Sequence, residues 1–176
     1  PAQAVAALVD LANASTRSLA AQLAPAVLYE LGLTPALEWL CEDIGRTFGL
    51  AASVHDDALP KPLSEDARGI LYRAVRELLI NVAKHAGTDS ATIEVHRVND
   101  RIVIRVTDTG VGYDPAVLAA VPRRGLGLVS MRERLSFIGG ELTVQSLPAH
   151  GTVAVLSAPL SLGTQSYTRA APETAA

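Results

Sequence analysis

The stretch Ser64–Gly87 constrains this chain more than any other. Ser64 can cap a helix, Glu65 and Asp66 put negative charge in its first turn, and Gly87 supplies a stop. In between, at 100° per residue, Leu71, Val75, Leu78, Leu79 and Val82 fall on one arc. The spacing predicts a helix over 65–86 with one face that must be buried. A neighbouring arc carries Glu77, Asn81, Lys84 and His85. A polar stripe beside a core face is usually solvated. This one mixes an oxygen pair that suits a hard cation such as Mg²⁺ with two cationic groups that suit anionic oxygens.

What the helix packs on is legible downstream. Residues 90–98 and 101–108 alternate apolar and polar side chains around Asn99-Asp100, which predicts a tight hairpin. A second pair of strands is expected at 141–147 and 152–160, and a short one at 51–56. A further helix should run from the cap Thr34 with Pro35 behind it to Phe48, stopped by Gly49, and another from 127 to 138, ended by Gly139-Gly140. Cys41 and Trp39 lie on the first of these and read as packing residues. Helices grouped with a mostly antiparallel mixed sheet make an α+β, two-layer sandwich. No Walker or dinucleotide glycine motif is present.

Residues 1–24 predict one N-terminal helix with Val5, Leu8, Ala12 and Leu19 on a stripe, suited to a second helix or to its own domain. Residues 161–176 are small and polar and predict a disordered tail. The chain opens on Pro1, and we read it as a segment of a longer protein. Among its 176 residues, 49% are hydrophobic and 19% charged, which suits a packed core. The net charge of −3 speaks against nucleic-acid binding. One cysteine excludes an internal disulfide, and no run is long and apolar enough to cross a membrane; a cytoplasmic setting without membrane contact is the expectation.

Strand parity adds a second chemical feature. Asp108 shares its side of the strand with Ile102, Ile104 and Val106, so its carboxylate points toward the apolar layer. There it needs a strong donor: the amino group of a ligand, a salt bridge, or the turn Asp108-Thr109-Gly110 itself. Gly110-Val111-Gly112 follows at once, and Gly125-Leu126-Gly127-Leu128 later opens a helix whose N–H groups suit phosphate.

Taken in order, Glu77 to Ala86 resembles the N box of histidine kinases, Asp108 to Gly112 their first glycine box, Gly125 to Leu128 the second, and Gly151-Thr152 the closing Gly-Thr element. The set resembles the superfamily that joins these kinases to gyrase, heat-shock chaperones and mismatch-repair ATPases. Lys84-His85-Ala86 and Met131-Arg132-Glu133-Arg134 are similar to the nitrate-sensor and lipid-fluidity-sensor branch, as is the upstream stretch Arg17 to Leu40.

The resemblance implies a Bergerat-type ATP-binding fold over 25–160 and reads 1–24 as the second helix of a dimerisation and phosphotransfer hairpin. It implies ATP and Mg²⁺ as ligands. Asn81 would hold the metal, and Glu77 would be a metal-side carboxylate or the base that readies the acceptor histidine. Lys84 and His85 would contact phosphates. Asp108 would bind the adenine amino group, with Thr152 assisting through water. Gly110, Gly112, Gly125, Gly127 and Leu128 would frame the pocket, and Arg123 and Arg124 would reach phosphate or stay solvated. It further implies phosphoryl transfer to a histidine upstream of this segment, then to an aspartate of a DNA-binding response regulator, in a homodimeric parent that could be membrane-anchored. His55, His96 and His150 read as surface residues. The alternatives are an anti-sigma serine kinase, an ATP-gated clamp, or a nucleotide-free scaffold.

Overall fold

The computed structural model describes residues 26–113 and 126–161. The predicted N-terminal helix, residues 162–176 of the predicted tail, and the positions Arg123, Arg124 and Gly125 lie outside them.

The sheet has five strands: β1 (Ala51–Asp56), β2 (Ser90–Val98), β3 (Arg101–Asp108), β4 (Glu141–Ser146) and β5 (Thr152–Pro159). Their order is β1-β2-β3-β5-β4. Only the β1–β2 pair is parallel; the other three are antiparallel. The α+β reading therefore holds, and the hairpin turn falls where Asn99-Asp100 puts it, with Asn99 at φ 55°.

Register fixes what each row contributes. Val54, Ile93, Val106, Ala154 and Val144 are aligned across the sheet, and so are Val95, Ile104, Leu156 and Leu142. These rows face the helices; on the other side, β2 to β5 carry no buried residue. Among the described residues four helices supply the second layer: α1 (Ala26–Glu30), α2 (Leu33–Phe48), α3 (Glu65–Asn81) and α4 (Leu126–Ser136). Leu71, Val75, Leu78, Leu79 and Val82 are all buried, as the helical arc requires. Cys41 is buried too, and burial, followed by the nearby Glu38 charge, pushes its thiol up to about 11.

Three local expectations change. Thr34 does not cap α2. The helix starts two residues earlier, behind Gly32, and the Thr34 hydroxyl donates to Asp56 at the end of β1. A tertiary acceptor has outbid the local backbone. α1 was not foreseen, because five residues are too few for a periodic signal. The predicted helix over 65–86 has the right length, but its last turn, Val82–Ala86, is a π turn. Ser64 caps it as expected, accepting from the Ala67 N–H at 3.2 Å.

The loop after β1 is pinned by a charged cluster. Lys61 donates to Asp56 and to Asp57, and Asp57 also accepts the Arg97 N–H at 2.7 Å. Burial alone would raise Asp56, yet the Lys61 and Thr34 hydrogen bonds hold it below the ordinary 3.8. For Asp57 the Lys61 bond is the main cause, and the shift is also downward. Both carboxylates thus bind protons more weakly folded than unfolded. Their contribution to stability is present above about pH 4 and is lost as acid titrates them. Lys61→Met should lower the melting temperature at pH 7 by a few degrees. It should also flatten the fall in melting temperature below about pH 4. Melts across that range test this; parallel curves for parent and variant would contradict it.

Candidate functional site

The cavity forms where the apolar face of the sheet runs out. The last row, Ala91-Asp108-Thr152-Ser146, replaces hydrocarbon with a carboxylate and two hydroxyls. Asp108 is only 6% exposed. Its Oδ1 accepts the Gly110 N–H at 2.8 Å, so the turn chemistry is real. Among the described residues its other oxygen has no hydrogen-bond partner, which leaves an acceptor for a ligand.

The opposite wall is α3. Its π turn ends on Ala86, whose carbonyl accepts the Val111 N–H at 2.7 Å. This ties the end of the helix to the loop behind Asp108. Gly110 permits the approach: a Cβ there would overlap the Ala86 carbonyl oxygen. On the other side Gly151, at φ 76°, lets its strand pass against the backbone of Asp108 in the same way.

Between these walls lies a cavity of about 530 Å³. The fold brings Glu77, Asn81 and His85 to it from α3, with Asp108, Gly112, Gly127, Leu128 and Thr152 from the sheet, the loop and α4. Leu78, Val82, Val106, Val144 and Ala154 make the remainder apolar. Two expected residues are not brought in. Lys84 is exposed and does not line the cavity. The π turn adds a residue per turn, so the 3.6-residue spacing that aligned it with Asn81 no longer applies, while His85 still reaches. Gly110 braces the wall from behind rather than lining it. His55, His96 and His150 are exposed, as expected.

Two residues were missed. Tyr113 lines the cavity, and burial pushes its phenol above the ordinary 10. Ser146 is buried behind Thr152 and accepts the Tyr113 N–H at 2.9 Å. Its parity with Leu142 and Val144 was the available signal. A second cleft of about 260 Å³ shares Glu77 and Gly127 with the first and is lined by Arg73, Arg76 and Arg134.

Chemically, the closed end offers acceptors to a flat, donor-bearing ring, and the apolar walls suit its faces. Glu77 and Asn81, one turn apart on α3, offer oxygens to a cation, and His85 lies beside them. Among the described residues no three His, Cys, Asp or Glu side chains gather to hold a metal by themselves. Two protein oxygens suit Mg²⁺, which usually draws its other ligands from water and phosphate.

Residues 66–162, more than half of the chain, match the family described as histidine kinase-, DNA gyrase B-, and HSP90-like ATPase. The sensor histidine kinase MctS of Rhizobium johnstonii is 34% identical over 140 residues, 80% of this chain and 30% of that protein. The oxygen sensor histidine kinase NreB of Staphylococcus carnosus is 28% identical over 149 residues, covering 82% and 41%. The chain thus spans less than half the length of these relatives. Among solved structures, the histidine kinase domain of a blue-light activated histidine kinase from Erythrobacter litoralis shares the fold with a TM-score of 0.62. The two are 22% identical over 73% of this chain and 61% of that one.

The contact between Ala86 and Gly110 yields a direct test. Gly110→Ala forces helix and loop apart and should cost about 1–3 kcal/mol, the usual range for overpacking. Urea unfolding reads it as a lower midpoint; an unchanged midpoint would mean that the wall and the loop are not in close contact.

Proposed function

The chain belongs to the histidine kinase-, DNA gyrase B-, and HSP90-like ATPase family, and on that premise we propose that it is the Mg-ATP-binding catalytic domain of a two-component sensor histidine kinase. The observation that carries the reading is the buried Asp108 at the closed end of a cavity whose α3 wall carries Glu77, Asn81 and His85. Relatives named as sensor histidine kinases favour it over a serine kinase, a clamp or a scaffold.

In this reading Asp108 accepts from the adenine amino group, and the apolar residues around it hold the ring. Asn81 and Glu77 lie along the phosphates and would hold Mg²⁺, which when bound neutralises charge on the transferring group. His85 donates to phosphate oxygens, and the first N–H groups of α4, around Gly127 and Leu128, face them as well. Glu77 also borders the arginine-lined cleft. In the same reading Glu77 would take a proton from an acceptor histidine that arrives through that cleft. Such chemistry rests on positioning and charge, so the chain supplies no covalent group of its own.

The acceptor histidine belongs to a segment upstream of this chain, with residues 1–24 as the end of the hairpin that carries it. The parent works as a homodimer and passes the phosphoryl group to a response regulator of the DNA-binding type. It acts in the cytoplasm, whether or not it is anchored in a membrane.

Calorimetry of the chain with ATP and Mg²⁺ should show one site, and GTP should bind poorly, because guanine offers a carbonyl where adenine offers an amino group. Asp108→Ala removes a charge-assisted hydrogen bond worth about 1.5–3 kcal/mol, so ATP affinity should fall about ten- to a hundredfold. Equal binding of GTP and ATP would remove Asp108 from this role.

A further inference from the structure

The proton count around Ser146 fixes more than its own position. Its hydroxyl has three polar neighbours: the Tyr113 N–H at 2.9 Å, the Gly151 carbonyl at 3.0 Å and the Thr152 hydroxyl at 3.0 Å. A serine has one proton to give and two lone pairs to offer. The Tyr113 N–H can only donate, so it takes one lone pair. The Gly151 carbonyl can only accept, so it takes the proton. The remaining neighbour, Thr152, must then donate. In the reverse arrangement Ser146 would give its proton to Thr152, and two bare oxygens would face each other at the Gly151 carbonyl. One assignment turns all three contacts into hydrogen bonds.

That assignment spends the Thr152 proton on Ser146. Thr152 then shows the cavity an oxygen with lone pairs and no hydrogen. It is paired with Asp108 across β3 and β5, whose carboxylate is also an acceptor. The closed end of the cavity is therefore built of acceptors alone. Ser146 does not line the cavity and is buried, so it acts only through Thr152.

We infer that Ser146 is a positioning residue that sets base selectivity: by taking the Thr152 proton it denies a donor to any base that carries an oxygen in place of the adenine amino group. The inference rests on the nucleotide reading given above. Asp108 supplies the attraction for an amino group; Ser146 supplies the rejection of a carbonyl. With Ser146→Ala the Thr152 hydroxyl is released, can rotate, and can donate to such an oxygen.

The test compares ATP with inosine triphosphate, which carries an oxygen at the position of the amino group. Titration of the chain with each gives a ratio of dissociation constants. In Ser146→Ala this ratio should narrow by about tenfold, the weight of one hydrogen bond. Ser146→Thr keeps the hydroxyl and should retain the parent ratio. Thr152→Val removes the hydroxyl and keeps the shape; with no hydroxyl left to release, adding Ser146→Ala to it should leave the ratio of Thr152→Val unchanged. A purely structural role for Ser146 would weaken both nucleotides alike, and an unchanged ratio in Ser146→Ala overturns the inference. If Ser146→Ala does not fold, Ser146→Cys, whose sulfur is a weak acceptor, should narrow the ratio in its place, and an unchanged ratio there overturns the inference equally. Failure of the parent chain to bind either nucleotide would instead remove the nucleotide reading itself.

Discussion

A carboxylate buried at the end of an apolar sheet face is costly unless donors meet it, and among the described residues Asp108 has one, the Gly110 N–H. Much of the site is arranged around that imbalance. The glycine loop turns back to supply the one donor. The Ala86 carbonyl locks this loop to α3, and Gly151 brings Thr152 alongside. The second oxygen is left facing a cavity. A chain selected only for stability would place a valine here. The free energy stored in the unmet acceptor is available to a ligand that brings an amino group.

The same row explains why fold and site are inseparable. The register that stacks Val106 on Ala154 and Val144 one row earlier also aligns Asp108, Thr152 and Ser146. A slip of one residue would turn the carboxylate to the far side of the sheet and break the core at the same time. On the helix side, the core arc of α3 and its polar arc are held at a fixed angle by the helix itself, so burying Leu71, Val75 and Leu79 aims Glu77 and Asn81 at the cavity. Packing energy positions the polar groups, and no separate device is needed.

Most of this was legible in the sequence because both periods are strong. The α3 arc, the alternation of β2 and β3 and the inward parity of Asp108 follow from 3.6 and 2.0 residue repeats. What escaped depends on contacts and local geometry that neither repeat encodes. Thr34 looks like a cap until Asp56 is beside it. Lys84 belongs to the polar arc only while the helix stays regular, and the π turn breaks that regularity. Ser146 ends a strand before Leu147-Pro148, where a serine reads as ordinary turn chemistry; its parity with Leu142 and Val144 turns it inward, and its pairing with Thr152 gives that direction a meaning. The family boxes, by contrast, were recognised as a set in order, and the match over residues 66–162 bears that out.

The central claim is that this chain holds the catalytic half of a phosphoryl transfer whose acceptor histidine lies elsewhere. The most direct measurement incubates the 176-residue chain with γ-labelled ATP and Mg²⁺, alone and with the proposed hairpin segment that carries the acceptor histidine. The account predicts no label on the chain itself and an acid-labile phosphohistidine on the added segment. A stable phosphohistidine on His55, His85, His96 or His150 of the chain alone, or no transfer to the segment despite nucleotide binding, would contradict it.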